Sequence, residues 1–132
     1  MAIRIVRLGS PRVRGEGVRL GTVRRPPRGV AKARYAADDW FDVWLPNLAP
    51  SAALVSAAKK LDGEAGWRRF VKRYESEMER PDNSRVLATL AALSRQTDFS
   101  VGCYCENESR CHRSILARIL ERHGAEVVRL KP

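Results

Sequence analysis

The sequence predicts a single α/β domain over residues 1–132: a small, mainly parallel sheet flanked by helices in a Rossmann-like three-layer arrangement. Three observations carry this. The length suits one core and leaves little room for a second. The last third of the chain reads strand, helix, strand, a unit that places its two strands in parallel. Between two β-type runs lies a stretch whose apolar residues recur at helical spacing.

In chain order, Ile3, Ile5 and Val6 among Arg4 and Arg7 read as a first strand ending near Gly9. Residues 9–34 are rich in Gly, Pro and Arg and read as a long basic loop, with room for a short strand near Thr22-Val23. Trp40 to Leu45 is aromatic and β-branched and reads as a buried strand closed by Pro46. Asp42 inside it needs a partner if it faces inward, for which an Arg of the preceding loop is the obvious candidate. Ser51 caps a helix carrying Leu54, Val55, Ala58 and Leu61, which Gly63 stops. A second helix spans about 64–80 with Trp67, Phe70, Val71, Tyr74 and Met78 on one stripe, a core stripe by its spacing, and Pro81 ends it. A third, capped by Asn83 or Ser84, carries Val86, Leu87, Leu90 and Leu93. Asp98 to Cys105 then reads as a strand, residues 106–110 as a polar loop, Cys111 to His123 as an amphipathic helix ended by Gly124, and 126–130 as a closing strand.

Composition narrows the function classes. A hydrophobic share of 44% suits a folded core and argues against disorder. No run of 18 apolar residues spans a membrane, and the N-terminus lacks the pattern of a signal peptide. Three cysteines, all within nine positions, argue against a disulfide framework and for a reducing, cytoplasmic setting. The net charge is +10, and ten Lys or Arg fall within residues 1–37 against a single acid, Glu16. Such a segment attracts phosphates on a small anionic molecule or on nucleic acid. A general preference for Arg, leaving a solvated face, is the plain alternative. Oligomeric state and cofactor are left open.

The chemistry-bearing residues concentrate in Cys103-Tyr104-Cys105-Glu106-Asn107-Glu108-Ser109-Arg110-Cys111-His112-Arg113. This segment crosses from a strand end to a helix start. Ligands of open α/β sheets bind there, and the helix's unpaired N–H groups and dipole favour anions. Arg110 and Arg113 flank that end, and Arg25 and Arg28 reach it if the basic loop folds over. In a first reading Cys105 or Cys111 is a thiolate nucleophile and His112 its base or cation. The Cys105-x4-Arg110 spacing resembles the rhodanese active-site loop, which wraps an anion with backbone amides. It departs from that loop in Glu108, where glycine is usual, and in Cys111. In a second reading Cys103, Cys105, Cys111 and His112 bind zinc, although no Cys-x2-Cys knuckle is present and neighbours on a helix point apart. In a third, Cys103 is core and His112 makes a local hydrogen bond.

A wider pattern is visible. Arg28-Gly29 is followed by Trp44-Leu45-Pro46-Asn47-Leu48-Ala49-Pro50-Ser51, then by Trp67-x2-Phe70 with Tyr74 and Glu77, then by Cys105-Glu106 and Cys111-His112-Arg113. The chain resembles the family catalogued as domain of unknown function 488, which includes YeaO-like proteins. The likeness covers most of residues 20–130. Those members usually read Asp-Arg-Leu-Trp-Pro-Arg-Gly where this chain has Val23-Arg24-Arg25-Pro26-Pro27-Arg28-Gly29, so the Asp and Trp are missing. The resemblance implies a compact α/β domain with a shared site and implies no activity. The sequence thus leads to an anion- or phosphate-binding site in a small cysteine-dependent enzyme, with Arg113 and Arg28 holding the anion. The competing reading is a nucleic-acid-binding module with structural or zinc-binding cysteines.

Overall fold

A computed structural model of the chain describes residues 1–60, 62–105 and 111–129. Leu61, the 106–110 loop with Arg110, and the end of the closing strand lie outside these residues. Five strands form one all-parallel sheet: β1 (Ile3–Arg7), β2 (Val18–Gly21), β3 (Val43–Trp44), β4 (Phe99–Cys103) and β5 (Val127–Arg129), in the order β3-β2-β4-β1-β5. Four helices accompany it: α1 (Ala52–Ala58), α2 (Gly63–Met78), α3 (Pro81–Leu93) and α4 (His112–Arg122). The predicted α/β class is the one observed.

The alternation of β1 and β4 sorts side chains between the two faces. Ile3 stands beside Phe99 and Ile5 beside Val101, and all four join a core with Leu54, Tyr74, Met78, Leu87, Leu90, Ile115, Leu116, Ile119 and Leu120. Every helix therefore contributes to one face of the sheet. The opposite face is covered by the irregular segment between β1 and β3, through Val23, Tyr35, Trp40 and Phe41. That layer sits close to the backbone. A Cβ on Gly21 would meet the Phe41 ring at 2.3 Å, and one on Gly102 would meet the Val6 carbonyl oxygen at 2.6 Å.

Charge is buried in this layer and fully paired. Arg19, 0% exposed, donates to both carboxylate oxygens of Glu16 at 2.7 and 3.0 Å and to the carbonyls of Ser10 and Asp39. Ser100 on β4 donates to Glu16 at 2.7 Å. Burial works against ionisation of Glu16, but the bonds from Arg19, Ser100 and the Val13 N–H outweigh it and hold its pKa below the ordinary value. Asp42 is exposed rather than inward-facing, and it still has an arginine partner from the preceding loop: Arg12 at 2.9 and 3.1 Å, together with the Arg19 backbone N–H.

Four sequence expectations shift. The early strand is Val18–Gly21, just before Thr22-Val23, where it pairs with both β3 and β4. The Trp40–Leu45 run is a two-residue edge strand with Val43 and Trp44 exposed; Phe41, packed on Gly21, is its buried residue. Pro81 opens α3 at its first turn, where its missing N–H costs nothing, so Asn83 and Ser84 lie inside the helix. Gly63 begins α2 behind an Asp62 cap. Ser51 caps α1 as expected, accepting from the Leu54 N–H.

Candidate functional site

Because all five strands run in parallel, their carboxyl ends share one edge of the sheet. β4 ends there in Cys103, Tyr104 and Cys105, between Arg7 of β1 and Thr22 beyond β2. The helix α4 starts at the same edge, with Cys111 as its N-cap. Three of the residues proposed from sequence thus meet. The donor atoms of Cys103, Cys111 and His112 all lie within 4.8 Å of one another. Cys103 and Cys111 are buried and Cys105 is exposed.

His112 is held from two sides. Its Nε2 lies 2.7 Å from the Thr22 carbonyl oxygen, which can only accept, so Nε2 carries the hydrogen. Nδ1 is then the lone-pair nitrogen, 3.8 Å from the Cys111 Sγ. The Tyr74 ring meets the imidazole edge-on at 5.6 Å, at the end of the stacked Trp67, Phe70 and Tyr74 rings. Burial lowers the His112 pKa and keeps the ring neutral, against an opposing pull from the Thr22 hydrogen bond.

The three thiols divide their protons unequally. Cys105 is held far below an ordinary thiol, first by hydrogen bonds from Cys103 and Cys111, then by the positive charge nearby on Arg113 and on His112 when protonated. Cys103 and Cys111 are pushed up, chiefly by the same hydrogen bonds, in which they keep their protons and donate. The setting therefore favours the charge on the exposed thiol.

The sequence places neighbouring side chains Cys111 and His112 apart, as on a helix. Cys111 instead takes the extended geometry of a cap (φ −122°, ψ 151°), which turns its sulfur toward the His112 ring. Sulfur and imidazole at these separations are donors of the kind zinc takes; Cys105, the fourth member of the expected Cys3His set, is not among these three close-set donors. Cys103, first assigned to the core, is buried and also a member of the cluster.

The arginines separate by role. Arg113 is 5% exposed and reaches the Val6 carbonyl. Arg24 is tied to the carbonyls of Pro46, Ala49 and Pro50. Arg25 lines the cleft over the cysteines, a space of about 450 Å³ that also takes in Val55, Phe70, Tyr104 and His112. Arg28 lies in an adjoining cleft. Thr22 and Tyr104 escaped the sequence reading. Thr22 acts through its backbone carbonyl, which leaves no signature in a side chain. Tyr104 was legible from its place between two site cysteines.

A sequence model described as the active DUF488-N3 subclade matches residues 3–124. The chain belongs to the DUF488 family. The matched range takes in every strand but β5 and the whole of the Cys and His cluster of this DUF488 domain. No curated protein and no solved structure matches the chain significantly. Among the described residues, no helix is long and apolar enough to cross a membrane.

Proposed function

We propose that this DUF488 domain is a cysteine-dependent enzyme acting on an anionic substrate, with Cys105 as its nucleophile. The observation that carries the reading is the placement of Cys105: an exposed thiol at the carboxyl end of the central strand, beside two buried thiols, facing a cleft. Thiolate rather than thiol attacks an electrophile, and this setting favours thiolate. Cys103 and Cys111 act as donors to that sulfur. His112 keeps a lone pair on Nδ1 toward Cys111 and can pass a proton through it. The Cys105-x4-Arg110 spacing, similar to that of rhodanese, is in keeping with an anionic reacting group. The description of the matched subclade as active is in keeping with this.

Protection by anions tests the reading. Inorganic phosphate or thiosulfate should slow iodoacetamide labelling of Cys105 in a saturable way, while chloride at equal ionic strength should not. Labelling that is indifferent to both anions up to tens of millimolar contradicts an anionic substrate at this thiol.

A further inference from the structure

The basic N-terminal segment is less of a polyelectrolyte than its composition suggests. Arg12 is paired with Asp39 and Asp42, Arg34 with Asp38, Arg19 with Glu16, and Arg24 with three carbonyls. Arg25 and Arg28 differ. Both are exposed, and their guanidinium groups have no hydrogen-bond or ion-pair partner among the described residues. With Arg7 they line a cleft of about 620 Å³, whose remaining walls include Leu8, Pro26, Pro27 and Trp40 and, among the described residues, no carboxylate.

This cleft adjoins the one over the cysteines. Arg25 and Tyr104 line both. Tyr104 is fixed from two directions: its carbonyl accepts from the Arg7 Nε at 3.2 Å, and its hydroxyl donates to the Arg25 carbonyl at 2.8 Å. The Trp40 ring meets Tyr104 edge-on at 5.8 Å. Tyr104 thus forms a shared wall between the two clefts, and Cys105 follows it directly in sequence.

We infer that the Arg7, Arg25 and Arg28 cleft binds the phosphates of a nucleotide-sized substrate whose reacting group extends past Tyr104 to Cys105. The inference rests on the proposed role of Cys105. The volume matches small-molecule sites, which run from roughly 300 to 1,000 Å³. Guanidinium groups lining a cleft suit phosphate oxygens, and the apolar rim suits a nucleoside. A nucleic-acid strand fits less well, because it follows an extended basic track and Arg12, Arg19, Arg24 and Arg34 are committed internally.

The probe is ADP, titrated into the full-length protein by calorimetry, with pyrophosphate and a short single-stranded oligonucleotide as comparisons. ADP should bind more tightly than either, and Arg25→Ala or Arg28→Ala should each weaken it about tenfold. Both residues are exposed, so unchanged circular dichroism verifies their folding. Cys105→Ser should bind ADP as the parent does, and ADP should protect Cys105 from iodoacetamide. Absent ADP binding, indifference to both arginine changes, equal affinity for pyrophosphate, or tighter oligonucleotide binding each overturns the inference. ADP binding without protection of a reactive Cys105 overturns the link between the clefts. If Cys105 proves unreactive while ADP binding remains arginine-dependent, the nucleophile reading fails and the phosphate subsite stands.

Discussion

Glu16 and Arg19 are three positions apart and wholly buried, and their pairing fixes the irregular segment onto the sheet through Ser100. Removing one member strands the other in a dry site, so Glu16→Gln should destabilise the fold by about 3 kcal/mol, read by urea denaturation; a loss near zero would show that water reaches the pair. His112 gives a pH dependence. Its ring stays neutral in the fold, whereas the unfolded chain takes up a proton near 6.5. Stability is therefore full above that value and falls as pH drops below it, by up to about 1.4 kcal/mol per pH unit until the folded ring itself protonates. His112→Gln should flatten this part of the profile between pH 6.5 and 5, and an unaltered slope would assign it elsewhere. At this scale the sequence was legible in the pairing of Asp42 with an arginine of the preceding loop. It was silent where the partner is a backbone atom, as with Thr22 under His112.

Among the elements, helices were easier to read than strands. Apolar spacing located α2 and α4 because each buries a single stripe against the sheet. The ends depended on local chemistry. Ser51 was visible as a cap, but Pro81 serves equally as a stop or a start, and only packing decides. Ser51→Ala should lower stability by about 1 kcal/mol through the lost Leu54 cap, and more if Glu77, which accepts from the Ser51 hydroxyl and N–H, is left unbonded. The short strands were misplaced because their apolar residues serve other ends. Phe41 covers Gly21, while Val43 and Trp44 supply pairing at an edge with exposed side chains. Gly21→Ala tests that packing: the Phe41 ring must move, and thermal unfolding should shift down measurably, whereas an unchanged midpoint would mean the layer is loose.

For the whole molecule, one parallel sheet gathers Cys105, the start of α4 and the arginine-lined cleft at a single edge. The fold class followed from the order of elements. The gathering itself did not, because it depends on β4 inserting between β1 and β2, which join it from far earlier in the chain. The central position of β4 also predicts that its amides exchange with solvent most slowly and those of the edge strand β3 much faster; comparable rates would contradict the strand order. If the cluster acts through a thiolate, chelator should leave Cys105 labelling unchanged, and faster labelling after chelation would reveal a bound ion capping it. The most direct test is the pH profile of iodoacetamide labelling, followed residue by residue by peptide mass spectrometry on the native protein. Cys105 should label rapidly already below pH 6, with Cys103 and Cys111 protected. A Cys105 rate that rises only through the range of an ordinary thiol, near 8.5, or prior labelling of Cys111, would contradict the account.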